Sequence, residues 1–192
     1  MTFYEGGSIA DLVKRRGGRV PLNEAWPIML QALQGLAFAH RSNFVHRDVK
    51  PHNILLDGKN HTWIAKVADL GLMKDFEQAG LSGMTVTGTA AGTYPFMPRE
   101  QLVNFKYVKP VSDVWAIGAT FYNMLTGQFP RETQRGQDPM VAVLRGEAIP
   151  IRRRMPSIPS RVAEVLDRSL VKASTERYQD AGEMLQAFES AL

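Results

Sequence analysis

Eight consecutive residues, His46 to Asn53, constrain this chain more than any other part of its sequence. They combine one carboxylate (Asp48), two cations (Arg47 and Lys50), two imidazole rings and an amide. Such charged groups are costly to place together in a protein interior unless each finds a partner. The mixture is favourable where a polyanion and a metal ion are bound, because cations attract the polyanion and oxygen ligands suit the metal. The stretch therefore predicts a polar functional loop.

The spacing of apolar residues predicts one domain of the α+β class, mainly α, with a small β-hairpin. Short helices are expected after Ser8, Asp138, Ser160 and Asp180, and a longer one capped by Asn23. Strands Ile54–Leu56 and Trp63–Ala68 are expected to form a hairpin that turns at Asp57-Gly58, and Phe44-Val45 forms at most a small strand. Residues 71–97 predict a long loop. Val114–Leu125 predicts a buried helix, capped by Ser112 or Asp113 and closed by Gly127.

Composition excludes several classes of function. The chain has no cysteine, which excludes disulfides, thiolate catalysis and cysteine-bound metal. Its longest mostly apolar run, Val114 to Leu125, is too short to span a bilayer, and residues 1–7 do not resemble a signal peptide. We therefore expect a cytoplasmic protein without a membrane span. The net charge of +4 suits acidic or phosphorylated partners, but Arg152–Arg154 is the only dense basic cluster and no nucleic-acid partner is expected.

Four polar side chains have the chemistry that phosphoryl transfer requires. Asp48 can orient a substrate hydroxyl and accept its proton, and Lys50 can reach the transferred group as a point cation. Asn53 and Asp69 supply oxygen atoms, the ligands that Mg²⁺ prefers. Each residue alone has an ordinary explanation, since Asp69-Leu70-Gly71 is common in turns, His46 could be a packed ring and Asn53 a cap. Their joint order, a polar loop and then a hairpin and then an aspartate, favours the functional interpretation.

With these residues the chain resembles the protein kinase family, specifically the eukaryotic-like serine/threonine kinases of bacteria. His46 to Asn53 match its H-R-D-x-K-x-x-N signature. The resemblance implies that Asp48 is the catalytic base, that Lys50 is typical of serine/threonine specificity, and that Asn53 and Asp69 bind magnesium. It implies ATP and Mg²⁺ as cofactors, with Leu55 forming the floor under the adenine. Leu70 replaces the family's usual phenylalanine.

The resemblance extends to the long loop, which is similar to an activation segment. Gly92-Thr93-Tyr94-Pro95-Phe96-Met97-Pro98-Arg99-Glu100 is similar to the family's G-T-x-x-Y-M-A-P-E. It implies that Thr93 contacts Asp48 and Lys50. The departures at Phe96, Pro98 and Arg99 concern the shape of the substrate loop and not the chemistry. It also implies regulatory phosphorylation at Thr85, Thr87 or Thr89, with Ser82 in the same loop, and binding of that phosphate by Arg47. Structural roles are implied for three further sites: His46, an ion pair between Glu100 and Arg177, and Asp113, which would support the catalytic loop.

In family terms, residues 1–7 correspond to the hinge, 8–68 to helices and catalytic loop with the hairpin, 69–100 to the activation segment and 101–192 to a helical subdomain. No G-x-G-x-x-G loop and no strand lysine are found, so we expect only the large lobe, with the small lobe missing.

The expected partners are serine- or threonine-containing proteins and a small-lobe segment or a partner kinase. The first hypothesis is the large lobe of a serine/threonine kinase that is inactive as residues 1–192 alone. The alternatives are a non-catalytic protein that binds kinase substrates or a partner kinase, and a small-molecule phosphotransferase, which Lys50 and Gly92-Thr93 disfavour.

Overall fold

The computed structural model describes residues 5–59, 62–69, 93–133 and 136–191, without the side chains of Lys59 and Tyr107. Within these ranges the chain is mainly α with one two-stranded antiparallel sheet, which confirms the expected class. The elements are α1 Ile9–Arg15, α2 Leu22–Arg41, β1 Ile54–Lys59, β2 Thr62–Val67, α3 Arg99–Val103, α4 Pro110–Thr126, α5 Pro139–Arg145, α6 Ser160–Ser169 and α7 Ala181–Glu189. Short 3₁₀ turns occur at Pro51–Asn53, Tyr94–Phe96, Phe105–Tyr107, Ile151–Arg153 and Ser174–Glu176.

Helix α4 is the centre of the core. Its sequence is apolar almost all round, and nearly every side chain from Val111 to Leu125 is buried, including Trp115, Phe121 and Tyr122 at 0% exposure. Helices α1, α2, α6 and α7 all contact it, and α2 also packs against α7 and the hairpin. A helix that is apolar on every side has to be surrounded in this way. The expectation of a buried helix here is confirmed.

Several helix ends follow directly from local sequence. Ser8 and Asp11 form a capping box at the start of α1, Asp138 accepts a hydrogen bond from Met140 N, and Asp180 accepts two from the first turn of α7. Gly127 ends α4 with φ of 72°, a left-handed conformation that favours glycine. These four boundaries agree with the sequence, although α7 ends at Glu189 rather than at residue 192.

Three helix starts were predicted wrongly. Helix α6 begins at Ser160 and not after it, because the Pro159 carbonyl already accepts the amide hydrogen of Ala163. Helix α2 begins at Leu22 and not after Asn23, because the Pro21 carbonyl already accepts the amide hydrogens of Glu24 and Ala25. Helix α4 begins at Pro110, before Ser112 and Asp113, since proline at the first helical position has the backbone angle that a helix needs. Ser112 and Asp113 therefore do not cap the helix, and their side chains make the contacts that are described below.

The hairpin is longer than its sequence indicated. Asp57 pairs with Ile64 and Gly58 pairs with Trp63, so the predicted turn at Asp57-Gly58 is wrong and both residues are inside β1. Gly58 has φ of 118°, and a side chain there would collide with the Thr62 carbonyl. Phe44-Val45 forms no strand.

Both edges of the sheet are covered. Gln31 of α2 accepts from Ala65 N at 2.9 Å and donates to the Trp63 carbonyl at 3.0 Å, while Gly6 and Gly7 exchange backbone hydrogen bonds with Leu56 of β1. The hairpin is thereby fixed against α2 on one side and the start of the chain on the other. None of the helices within the described ranges combines the length and apolar character that a membrane crossing requires.

Candidate active site

A single buried carboxylate holds the polar loop in place. Asp113, in the first turn of α4, is 1% exposed and accepts the amide hydrogens of His46 at 2.7 Å and Arg47 at 2.8 Å. It also receives a hydrogen bond from His40 Nε2 at 3.0 Å. Arg47 has φ of 68°, an unfavourable left-handed conformation for arginine. The hydrogen bonds to Asp113 stabilise that backbone, so the direction of the loop is set by α4.

His40 joins this carboxylate to the last helix. Its Nδ1 accepts the amide hydrogen of Ala181, the first residue of α7, at 3.0 Å. A ring nitrogen that accepts a hydrogen bond carries no proton, so Nε2 bears the hydrogen that is donated to Asp113. No motif or spacing in the sequence indicated this role. Its partners are far away in sequence, and no local pattern could have found them.

His46 ties the polar loop to the strand that leads to Asp69. It is 1% exposed, its Nε2 lies 2.8 Å from the Ala68 carbonyl, and its Nδ1 accepts from Asp48 N at 3.3 Å. The Asn53 carbonyl accepts the Ala68 amide hydrogen at 2.9 Å, which closes the hairpin at the same end. The segments around Asp48 and Asp69 are therefore held together by backbone and imidazole contacts.

The central cluster consists of Asp48, Lys50, Asn53 and Thr93. Lys50 Nζ lies 2.8 Å from Asp48 Oδ2 and 3.2 Å from Thr93 Oγ1. Asn53 Nδ2 donates to the Asp48 backbone carbonyl at 2.8 Å and to its carboxylate at 3.0 Å. The Asp48 carboxylate is thus oriented from two sides and is still 29% exposed, with Lys50 at 21%. Such a group is fixed in direction and can be reached by a ligand.

The candidate cation ligands are Asn53 of this cluster and Asp69, which follows Ala68 at the same end of the hairpin. Asn53 uses its amide nitrogen on Asp48, which leaves its amide oxygen as the atom that could bind a cation. Asp69 follows β2, is exposed and has φ of 61°, so it leaves the strand in a strained backbone conformation. Leu55 is half-buried on β1, and Leu70 lies outside the described residues.

This donor set fits Mg²⁺, which takes oxygen ligands and keeps several waters. In the parts of the chain that the structure describes, no three histidine, aspartate or glutamate side chains are close enough to hold a metal by themselves. An amide oxygen and one or two carboxylates suit a metal that is shared with a phosphate and with water.

An ion pair connects Glu100, at the end of the substrate-loop segment (residues 93–100), to Arg177, which precedes α7. Arg177 Nη1 lies 2.7 Å from Glu100 Oε1, and the same carboxylate oxygen accepts from Ser112 Oγ at 3.0 Å. Arg177 is 1% exposed and also donates to the carbonyls of Val171 and Lys172. The structure therefore contains the contact between Glu100 and Arg177 that the sequence resemblance implied.

Arg47 has a partner that the sequence did not indicate. Gln101, 4% exposed, donates from Nε2 to the Arg47 carbonyl, and the Arg47 guanidinium lies 5.7 Å from the centre of the Phe105 ring. Ser82, Thr85, Thr87 and Thr89, the candidate phosphorylation sites, lie outside the described residues.

Comparison with known proteins gives the same family as the residues. The profile of the protein kinase domain matches residues 1–188. The chain is 34% identical over 188 residues to serine/threonine-protein kinase PknA of Corynebacterium glutamicum, covering 97% of this chain and 38% of the relative. It is 31% identical over 186 residues to serine/threonine-protein kinase PrkC of Bacillus subtilis, covering 96% of this chain and 27% of the relative. The chain thus spans well under half the length of either kinase.

Two solved structures share the fold. Rad53 residues 1–466 in complex with AMP-PNP superposes with a TM-score of 0.75 at 24% identity, covering 97% of this chain and 45% of that one. The kinase domain of Mycobacterium tuberculosis PknI superposes with a TM-score of 0.69 at 20% identity, covering all of this chain and 64% of that one.

Proposed function

This chain belongs to the protein kinase family, and we propose that it is the catalytic large lobe of a serine/threonine protein kinase, which transfers the γ-phosphoryl group of ATP to serine or threonine hydroxyls of proteins. The observation that carries the proposal is the cluster in which Lys50 contacts both the Asp48 carboxylate and the Thr93 hydroxyl. The carboxylate, the cation and the Thr93 hydroxyl are together at one partly exposed position.

The residues of the cluster would divide the work of phosphoryl transfer. Asp48 accepts a hydrogen bond from the substrate hydroxyl and orients it for attack, and takes its proton as the new bond forms. Lys50 is close enough to balance charge on the transferred group as well as on Asp48. Asn53 keeps the Asp48 carboxylate in one orientation, and Thr93 positions the acceptor chain through Lys50. Since this reaction depends mostly on positioning and charge, fixed geometry is what the protein must supply.

Asn53 and Asp69 would hold Mg²⁺, and Leu55 would contact the adenine of ATP. When bound, Mg-ATP supplies the phosphoryl group and a cation that neutralises its developing charge. The fit of the donor set, amide and carboxylate oxygens at one end of the hairpin, supports this assignment. Asp69→Asn should weaken the affinity for Mg-ATP, and unchanged affinity would remove Asp69 from the metal site.

The specificity for serine and threonine rests on Lys50 and Thr93. A protein hydroxyl suits this pair better than a small-molecule acceptor because Gly92-Thr93 is similar to the substrate loop of protein kinases. Arg47 would bind a phosphate on Thr89, or on Thr85 or Thr87, which brings about −1.5 to −2 charges to the cation. A cytoplasmic location is part of the same proposal.

We further propose that residues 1–192 do not turn over ATP by themselves. The sequence contains no glycine-rich phosphate loop and no candidate for the strand lysine that pairs with the nucleotide phosphates. These elements would come from a small-lobe segment or from a partner kinase. Without them, ATP would meet only the surface formed by Leu55, Asn53 and Asp69.

The test joins residues 1–192 to the small lobe of the related PknA kinase and measures transfer to a generic basic protein with Mg-ATP. The joined protein should be active, and residues 1–192 alone should not. Asp48→Asn should reduce the rate about 10²–10⁴-fold, the usual contribution of a general base. The matched control is Asp57→Asn on the hairpin, a half-exposed aspartate whose ion pair within the described residues is with Lys66 at 3.5 Å, and this variant should keep the rate.

Two results would contradict the proposal. Near-normal transfer by Asp48→Asn would remove Asp48 as the base. Transfer by purified residues 1–192 alone would show that the small-lobe elements are not required. Stable protein binding by residues 1–192, with no transfer even in the joined protein, would favour the non-catalytic alternative.

A further inference from the structure

A cavity of about 610 Å³ lies next to the substrate-loop segment and has no role in the chemistry described above. Its walls come from Tyr94 and Pro95, from the connection that follows α4, and from α5. They combine apolar surface with two arginines. The wall includes Tyr94, Pro95, Phe129, Arg131, Val143 and Arg154.

Arg131 is a buried cation without an acidic partner among the described residues. It is 7% exposed, donates from Nη1 to the Met97 carbonyl at 2.8 Å, and stacks 3.9 Å above the Trp115 ring. Within the described ranges no carboxylate is paired with it. Burial is the main cause that lowers the pKa of its guanidinium to about 10, with Arg177 adding to the effect and Glu100 opposing it. A buried charge is unfavourable until an opposite charge compensates it.

Arg154 adds a second positive charge to the wall. It donates to the Phe129 carbonyl and to Glu132 Oε1, the latter at 3.2 Å. The Glu132 side chain is 75% exposed, so this pair is largely screened by water. The cavity therefore has two cations against one exposed carboxylate, beside the apolar side chains of Pro95, Phe129 and Val143. A ligand with a negative group next to an apolar group would complement it.

The cavity lies beside the residues that follow Thr93, where the proposed function places the substrate. Thr93 contacts Lys50, which contacts Asp48, and Tyr94 and Pro95 follow Thr93 directly. A polypeptide whose hydroxyl reaches Asp48 and that runs along Thr93 would arrive at this cavity a few residues away from the hydroxyl.

We propose that this cavity binds an anionic side chain of the polypeptide substrate, with Arg131 as its principal contact and an apolar neighbour packed on Phe129 and Val143. The anion is a glutamate or aspartate carboxylate or a phosphorylated side chain, which share this chemistry. Naming the occupant a substrate rests on the proposed function. The site thus makes the chain selective for acidic sequences near the accepting hydroxyl.

The test measures binding of short fluorescent peptides to the unaltered chain without nucleotide. Each peptide contains one serine and, at a varied nearby position beside a leucine, a glutamate, a phosphoserine or a glutamine. At one position the anionic peptides should bind about tenfold or more tightly than the glutamine peptide, since charge-assisted hydrogen bonds are about twice as strong as neutral ones. The stronger of the two anions identifies the source of the negative charge.

Arg131→Gln should abolish the preference for the anion, and Arg131→Lys should keep part of it. The matched control is Arg153→Gln, which removes an exposed arginine outside the cavity wall and should leave the preference unchanged. Because Arg131 is buried, an independent measurement uses the unaltered chain. The NMR signal of the Arg131 Nε–H group should shift with anionic peptides and stay fixed with the glutamine peptide.

Equal affinity for all three peptides, or a preference that survives in Arg131→Gln, would overturn the inference and leave Arg131 as a packing residue on Trp115. If the proposed function is wrong but this inference is right, the measurements give a different pattern. In that case the Arg131-dependent binding of anionic peptides would remain, while the joined protein would transfer no phosphate.

Discussion

At the scale of single residues, Asp113 is the acceptor on which the backbone of the polar loop depends. Two backbone amides of the polar loop and the His40 ring all donate to its carboxylate. Asp113→Ala would leave these three buried donors without an acceptor, which should lower the free energy of unfolding by about 3–5 kcal/mol. Urea unfolding measures this loss.

The comparison for Asp113 is Asp138, an aspartate that caps α5 at the surface. Asp138→Ala removes one exposed capping hydrogen bond and should cost about 1 kcal/mol. Equal losses in the two variants would mean that the three hydrogen bonds to Asp113 contribute no special stability.

The charge of Asp167 is expected to lower the stability of the fold, in contrast to that of Asp113. Burial raises the pKa of its carboxyl, although the hydrogen bond from Ile151 N at 2.9 Å lowers it in part. For an acid, a raised pKa in the folded state means that the charged form destabilises the fold. Stability is therefore lost as the pH rises from the unfolded value, about 3.9, through the raised folded value.

Asp167→Asn keeps an acceptor for Ile151 and removes the charge. It should raise Tm by about 1–2 °C at pH 7. The gain should disappear below the unfolded pKa, where the unaltered carboxyl is protonated in both states. Thermal unfolding followed by circular dichroism across this pH range tests it, and a gain independent of pH would point to another cause.

At the scale of elements, the contact of α4 with α6 depends on one glycine. A methyl group on Gly118 would overlap Ser169 Oγ and lie 3.1 Å from Ser169 Cβ. Gly118→Ala should therefore destabilise the fold by about 1–3 kcal/mol, the usual cost of overpacking, even though alanine is the better helix former. Ser169→Ala in the same chain should recover part of the loss, and denaturant unfolding of the two single variants and the double variant measures the coupling.

Gly35 is the matched control for Gly118. It lies on an exposed side of α2, and an added methyl group would be 3.4 Å from Val67 Cγ2, an ordinary contact distance. Gly35→Ala should be neutral or stabilising by up to about 1 kcal/mol. A loss there as large as that of Gly118→Ala would mean that the contact with Ser169 is not the cause.

Elements that depend on local chemistry could be predicted from the sequence. Ser8 with Asp11, Asp180 and Gly127 act within one helical turn, and their patterns gave the correct boundaries. The β1–β2 turn was misplaced because Asp57-Gly58 is a favourable turn sequence, while Gln31 of α2 bonds Trp63 and Ala65 and so holds β2 in place where Trp63 pairs with Gly58. Tertiary contacts overrode the local preference.

At the scale of the whole molecule, the candidate site depends on contacts over long sequence separations. Asp48, Lys50 and Asn53 could be found because they lie in one short motif, and the structure brings Thr93 to them. Gln101, Arg131 and the second bond of His40 could not be found, because their partners are 54, 34 and 141 residues away. A single sequence has no local pattern that relates such positions.

The ion pair between Glu100 and Arg177 links regions that are 77 residues apart. Arg177→Met should lower the free energy of unfolding by about 3–5 kcal/mol, because it removes the cation paired with Glu100, which keeps its hydrogen bond from Ser112 Oγ, and the donor of two backbone carbonyls. Combining it with Glu100→Leu should cost less than the sum of the two single changes. Chemical denaturation of all four proteins measures this coupling, and simple additivity would show that the pair does not act as a unit.

The hydrogen bond from Ala181 to His40 has a consequence for how the chain is made. Ribosomes add about 5–20 residues per second, and the two residues are 141 positions apart. Translation therefore takes roughly 7–28 s between them. For most of that time the nascent chain already carries every residue of the polar loop, yet the amide that orients His40 towards Asp113 has not been synthesised. The finished geometry around Asp48 is therefore a late product of translation, because the contact with Ala181 cannot form before α7 has left the ribosome.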